Sequence, residues 1–345
     1  MSFHSVIGTN KVPYLIAEIS ANHNGNFQLA KKLIKCAKDN GADAVKLQTY
    51  TADTMTIKSN KKDFLMKDGL WKGYNLWNLY NKACTPKQWH KDLFNYAKKI
   101  NIKIFSTPFD TDAVDFLETL NCPIYKVASF EITHLPLIKR IAKTKKPIII
   151  STGMSNLDEI ELAFKTAKKF GAKKISLLYC VSNYPSKTED FNINNIKILK
   201  EKFNCQIGFS DQSNDPEIAK AAVIAGAEIF EKHIGLNNQK KGFDIKFSAR
   251  GSEIRKYKDI LDKSYKMLGK DYFYRDINEK KNQRFRRSIF AARDIEKGEK
   301  FSKKNLKILR PNIGLSPIFY FKILSKKSNK HFKKNDPIKL NIKKN

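Results

Sequence analysis

One pattern recurs along the first 270 residues: a short apolar run, a polar residue at its end, a turn, then a stretch with helical periodicity. Ile124 to Glu131 shows the design in miniature. Tyr125 and Val127 fall on one face of a strand, Lys126 and Ala128 on the other. A lysine among apolar strand residues is costly to bury unless an anion meets it. Eight such units in series predict a (β/α)8 TIM barrel. A doubly wound open sheet is the competing architecture. It predicts a Gly-x-Gly-x-x-Gly turn, and the sequence has none.

The predicted strands cover 12–19, 44–49, 103–109, 124–131, 147–152, 174–182, 206–211 and 228–234. Helices are expected over 27–40, 112–120, 135–143, 156–170, 192–203 and 252–268, with Gly41 and Gly171 as stop signals. Thr85-Pro86-Lys87-Gln88 predicts a helix start with Thr85 as N-cap and Pro86 at the first position. Asp215-Pro216-Glu217 predicts another, closed by Gly226. Phrases of the type x-Gly-Ala-x recur at 40–43, 170–173 and 225–228, always at a helix-to-strand joint. The connection 50–83 is long and holds Gly69-Leu70-Trp71 and Trp77, so it should be ordered.

The chain divides into a barrel domain over 1–269, a polar linker over 270–287 and a small, mostly β domain over 288–345. Strand-like pieces at 288–292 and 336–342 mark that last domain, which is too small to carry much core of its own.

The net charge of +32 raises a nucleic-acid or membrane-surface role. Only 9 of the 66 basic residues are Arg, and the Lys are spread over every predicted helix surface, which argues against a focused nucleic-acid site. An anionic substrate still benefits from the field. The five cysteines form no Cys-x-x-Cys pair, which fits a reducing cytoplasm and no zinc site. No run approaches the eighteen apolar residues of a membrane span.

In such a barrel, polar residues at strand C-terminal ends face one site. They are Glu18, Lys46, Gln48, Thr107, Lys126, Ser129, Glu131, Ser151, Ser182, Ser210, Asp211 and His233. Lysines with hydroxyls suit a phosphate or carboxylate. A glutamate can move a proton and a histidine can ligate a metal. Each has a plainer reading: a solvated edge lysine, a core histidine with satisfied hydrogen bonds, a structural Glu18–Lys46 pair, or hydroxyls that cap helices.

Several motifs then carry a family resemblance. Asn22-His23-Asn24-Gly25, Lys46-Leu47-Gln48-Thr49, Ser106-Thr107-Pro108-Phe109, Tyr125 to Glu131, Ser151-Thr152-Gly153-Met154, Tyr184-Pro185, Gly208-Phe209-Ser210-Asp211 and Glu231-Lys232-His233 occur in one order. The chain resembles the sialic acid synthases nearly end to end, and its C-terminal sixty residues resemble their antifreeze-like (SAF) domain. Ala-Ser-Phe-Glu at 128–131, Gly69-Leu70-Trp71 and Ala83-Cys84-Thr85-Pro86 resemble the pseudaminic acid branch. The neuraminate and legionaminate branches more usually read Ser-Gly-Glu at the fourth strand.

The resemblance implies condensation of phosphoenolpyruvate with an open-chain amino sugar, here 2,4-diacetamido-2,4,6-trideoxy-L-altrose, with phosphate lost by C–O cleavage. It assigns phosphoenolpyruvate to Lys46, Thr107, Lys126, Ser129, Ser151, Ser182 and Ser210. Glu18 becomes the acid/base, and Lys126 and Glu131 join the catalytic group. Gln48, Tyr184 and Arg310 fall to the sugar, and Asp244 matches a substrate-binding position near the site. It also implies a domain-swapped homodimer, with Arg310 reaching the partner's barrel. A divalent metal such as Mn2+ would sit on His233 and on Gln212, where the family usually has a second histidine. An amide oxygen is the weaker ligand. Three arrangements fit: Gln212 ligates weakly, water completes the shell, or the aldehyde is activated without metal. The other function classes that fit are a Schiff-base aldolase on Lys126 or Lys46 and a phosphoenolpyruvate-binding homologue without turnover.

Overall fold

The computed structural model describes residues 13–182, 186 and 188–340. Two compact units meet at the boundary between Gly269 and Lys270. Eight parallel strands form the first: β1 Tyr14–Glu18, β2 Ala44–Thr49, β3 Lys103–Pro108, β4 Tyr125–Val127, β5 Ile148–Ser151, β6 Ile175–Cys180, β7 Gln206–Asp211 and β8 Ile229–Gly235. They pair in sequence order, and β1 also pairs with β8, which closes the barrel. A short β9, Ala249–Arg250, adds alongside the end of β8.

The strands are nearly all buried, as expected where a parallel sheet is covered on both faces. The helices cover it with apolar stripes at helical spacing. Ala30, Leu33, Ile34 and Ala37 are buried on Phe27–Asp39, and Leu137, Ile138, Ile141 and Ala142 on Leu135–Lys143. Fully burying one such Leu or Ile contributes roughly 1.5–3 kcal/mol. The helix starts are set by side chains: Asn156 and Glu159 form a reciprocal capping box, and Asp215 caps Pro216–Ile224 through Glu217 N.

Some local expectations differ from what forms. Thr85 is not an N-cap. Helix Lys87–Lys99 starts after Pro86 without a side-chain cap, because Thr85 Oγ1 is taken by His23 Nε2 at 3.1 Å. The fourth strand stops at Val127. A 3-10 turn over Ser129–Glu131 follows, closed by Glu131 N to Ala128 O at 3.1 Å. The connection after β2 is ordered and holds a helix of its own, Leu76–Ala83, capped by Asn75 through Trp77 N.

The second unit begins with the helix Ile277–Lys281 and a 3-10 turn Asn282–Phe285, inside the stretch expected as linker. Its β structure is one antiparallel pair, β10 Ser288–Ala291 with β11 Leu306–Leu309, plus isolated bridges such as Phe290 to Pro337. The strand expected over 336–342 is reduced to that bridge among the described residues; 341 and 342 lie outside them. A small core gathers Ile289, Ala291, Ile295, Phe301, Leu306, Ile323, Phe332 and Ile338.

Candidate functional site

Strand register builds the site. Glu18 lies beside Lys46 on one side and His233 on the other. Gln48 lies beside Thr107, and Ser210 beside Glu231. Because strand side chains alternate faces, Glu231 and His233 share one face of β8 and Lys232 takes the other. Glu18, Gln48, Thr107, Ser210 and His233 lie toward the C-terminal ends of their strands, where barrel enzymes place their chemistry, with Lys46 and Glu231 one layer deeper.

Two lysines and two glutamates sit at the centre. Lys46 Nζ pairs with Glu18 Oε2, donates to Thr107 Oγ1 at 2.9 Å and lies 3.8 Å from Glu231 Oε2. Lys126 Nζ donates to Ser151 Oγ at 2.6 Å and lies 3.9 Å from Glu231 Oε1. Both lysines are almost sealed, at 3% and 2% exposure, so neither is a solvated edge residue. Their proton affinities diverge. Burial pushes the Lys46 ammonium down, but Glu18 and Glu231 together outweigh it and the net direction is up. For Lys126 burial prevails, helped by repulsion from Lys46, and the net direction is down despite Glu231. Burial also pushes Glu231 up, but Lys126, Lys46 and His233 more than reverse it.

A second group lies around β4, β5 and β6. Ser129 Oγ accepts from Gly153 N at 3.1 Å and meets Cys180 Sγ at 3.1 Å. A Cβ on Gly153 would strike Ser182 Oγ, Cys180 Sγ and Ser129 Oγ, so only glycine leaves room for these three side chains here. Glu131 Oε2 is buried without a partner, and burial lifts that carboxyl to about 7 against the pull of Lys126.

The third group faces the turn after β1. Gln48 Nε2 donates to Ser20 Oγ at 3.0 Å, and Ser20 Oγ donates to Asp244 Oδ2 at 2.6 Å. His233 packs edge-on to Phe247 and holds Nδ1 3.7 Å from Asp244 Oδ2. Gln212 Nε2 donates to Ser210 Oγ at 3.3 Å, and Ser210 Oγ donates to Glu231 Oε1 at 3.3 Å. Gln212 Oε1 and His233 Nδ1 are both buried and lack a hydrogen bond. Such orphaned acceptors, one amide and one imidazole, fit a weakly held divalent cation. Among the described residues no cluster of three or more His, Cys, Asp or Glu is arranged to hold a metal by itself.

Of the residues expected from the sequence, Glu18, Lys46, Thr107, Lys126, Ser151 and Ser210 therefore join through Glu231 into one network. Gln48, Asp244, His233 and Gln212 adjoin it. Arg310 belongs to the second unit and is exposed there. Tyr184 lies outside the described residues. Asp211 does not face the site chemistry with Ser210: it turns to Lys232 and Tyr257 behind the strands. Sequence reasoning passed over Glu231, although a glutamate two residues before His233 in an apolar strand had to share its face. It also passed over Ser20 and Cys180, whose neighbours come from distant segments.

The fold is that of a barrel enzyme, and its strand ends gather two buried lysines, two glutamates and several hydroxyls. The sequence matches the NeuB family over residues 33–272 and the SAF domain over 286–341. The chain belongs to the NeuB family. It is 42% identical to the pseudaminic acid synthase of Helicobacter pylori, across 94% of this chain and 96% of that one. It is 39% identical to the N,N'-diacetyllegionaminic acid synthase of Campylobacter jejuni, across 95% and 99%. Among solved structures it resembles the N-acetylneuraminic acid synthetase of Leptospira borgpetersenii, in complex with citrate, with a TM-score of 0.71 and 32% identity over 79% of this chain and 90% of that one.

Proposed function

We propose that the protein is a pseudaminic acid synthase. It joins phosphoenolpyruvate to 2,4-diacetamido-2,4,6-trideoxy-L-altrose, consumes one water and releases inorganic phosphate. The observation that carries this reading is the pair of buried lysines at one barrel mouth, ringed by hydroxyls and bridged by Glu231. Glu18 already partners Lys46, whereas Lys126 lies 3.9 Å from Glu231 and otherwise rests on neutral oxygens, which leaves it open to a ligand's negative charge. The choice of sugar rests on the 42% identical relatives and on Ala-Ser-Phe-Glu at 128–131.

Lys46 and Lys126 neutralise the phosphate and carboxylate, and Thr107, Ser129, Ser151, Ser182, Ser210 and the Gly153 N–H position them. The vinyl carbon of phosphoenolpyruvate forms a bond to the aldehyde carbon, whose oxygen takes a proton. Water adds to the neighbouring carbon and loses a proton to a carboxylate. Phosphate then leaves with the bridging oxygen. Glu18, hydrogen-bonded to Ser20 N at 2.6 Å and paired with Lys46, is placed to carry protons. Glu131, with its carboxyl near 7, is poised to give or take one at neutral pH. Gln48 and Asp244 offer polar groups to the sugar. Synthases of this family are generally metal-dependent. His233 and Gln212 would hold the cation, which when bound polarises the aldehyde oxygen.

A homodimer is part of the reading. Tyr272, Phe273, Tyr274, Ile277 and Phe285 form an exposed apolar run that a second copy would cover. Light scattering on the purified protein reads the mass directly; a monomer at all concentrations rejects it. The cysteines among the described residues are all unpaired, which suits a reducing cytoplasm; cell fractionation checks this.

The test is incubation with phosphoenolpyruvate and a panel of amino sugars, with phosphate release and product mass read together. The trideoxy altrose sugar should be the preferred acceptor. Preference for N-acetylmannosamine reverses the assignment within the family. One observation favours a second reading: the lowered proton affinity of Lys126 suits a Schiff-base amine. Borohydride with pyruvate should trap nothing on a synthase and should label Lys126 on an aldolase.

A further inference from the structure

Ser20 is an unusual residue for its place. It follows β1 and enters the turn before Asn22-His23-Asn24-Gly25. Its φ is 45°, in the left-handed region where a side chain with a Cβ is disfavoured and glycine is at ease. It is also sealed, at 5% exposure. A hydroxyl held in that conformation must do something that glycine cannot.

Its bonds say what. Ser20 N donates to Glu18 Oε1 at 2.6 Å. Ser20 Oγ donates to Asp244 Oδ2 at 2.6 Å and accepts from Gln48 Nε2 at 3.0 Å. These partners lie 2, 224 and 28 residues away in the chain and come from β1, from the segment after β8 and from β2. A single hydroxyl has one proton to give and lone pairs to receive. With the proton on Asp244, Oγ can only accept from Gln48, and that fixes which end of the Gln48 amide faces away. The Gln48 carbonyl is left as the acceptor for a ligand donor. Asp244 is held at the same time, 3.7 Å from His233 Nδ1. None of the lysines and hydroxyls assigned to the anion touches Ser20 Oγ in the hydrogen bonds described above.

We propose that Ser20 is a positioning residue for the acceptor sugar: its hydroxyl orients Gln48 and Asp244 against Glu18, while phosphoenolpyruvate is bound independently of it. This rests on the synthase reading above. The ligand class read by the oriented groups is a polyhydroxylated sugar carrying amide N–H donors.

The test uses the full-length protein and two substitutions. Ser20→Gly removes the hydroxyl and also the conformational penalty. Ser20→Ala removes the hydroxyl and keeps the penalty. Ser20→Ala should melt below Ser20→Gly, because both lose the hydroxyl's bonds and only glycine relieves the left-handed backbone. Both should lower kcat/KM for the sugar by about ten- to a hundredfold, the factor expected from one buried hydrogen bond to a charged group. Both should leave the Kd of phosphoenolpyruvate, measured by calorimetry without sugar, within about twofold of wild type, since its ligands stay paired. A Ser20→Gly enzyme with wild-type sugar kinetics overturns the proposal. Equal losses for both substrates overturn it too, because they mean general disorder of the mouth. If the wild-type protein itself turns over no sugar on the panel, the synthase reading fails and this inference falls with it; an active wild type with an unaffected Ser20→Gly sinks this inference alone.

Discussion

The β2 side and the β4 side of the barrel mouth each bury one lysine, and they treat it in opposite ways. Lys46 is held between Glu18 and Glu231, and its proton is gripped more tightly than in water. Among the described residues Lys126 has its nearest carboxylate, Glu231, at 3.9 Å; it donates to the neutral Ser151 hydroxyl and the Val127 carbonyl, and it holds its proton more loosely. A buried charge with a full set of partners belongs to the fold. A buried charge that lacks them is a vacancy for a ligand's charge. On the proposed reading the β2 side is built before any substrate arrives, and the β4 side is the one an anion would complete.

The sharpest way to break this contrast is to remove each lysine. Lys46→Ala leaves the buried Glu18 carboxylate without its partner, which typically costs about 3–5 kcal/mol. Urea unfolding should register that loss, and activity should vanish. Lys126→Ala removes a charge that the folded state tolerates poorly, so its stability should change by less than about half as much. Calorimetry should show phosphoenolpyruvate binding weakened by about a hundredfold or more, as for a buried charged partner. If the two variants lose stability equally, the two sides are not different in kind.

Much of this was legible in the sequence, and the reason is chemical. A lysine inside an apolar strand advertises itself, and strand periodicity assigns its face, so Lys46 and Lys126 could be read directly. The eightfold alternation fixed the barrel in the same way. Glu231 was readable on that logic but was hidden beside the histidine that follows it. Ser20 was not readable, because its importance depends on a left-handed φ and on a partner 224 residues away. Thr85 misled, since a Thr-Pro start is a good helix signal until a buried histidine claims the hydroxyl.

Two smaller effects sharpen the picture. Gln212 shares Ser210 with Glu231, the carboxylate common to both sides. Gln212→His should tighten Mn2+ retention by about tenfold, the scale of one imidazole replacing an amide. Metal titration of both proteins checks it, and an unchanged affinity places Gln212 away from the cation. Glu131 belongs to the Lys126 side, and burial raises its carboxyl to about 7. The folded state therefore keeps a proton that the unfolded chain releases near pH ~4.3. Its contribution to stability is full below that pH and is lost as pH rises through 7. The Tm of wild type relative to Glu131→Gln should thus fall between pH 5 and pH 8, by a few degrees at most. The limb of the activity profile near 7 should disappear in the same variant.

In the proposed condensation the anion, held by Lys46 and Lys126, loses phosphate by C–O cleavage. Phosphoenolpyruvate carrying heavy oxygen in its bridging position tests it in one reaction with the trideoxy altrose sugar. The label should appear wholly in the released phosphate, with a product whose mass is that of both substrates plus water less phosphoric acid. Label retained in the organic product, or phosphate released without any sugar adduct, would contradict it.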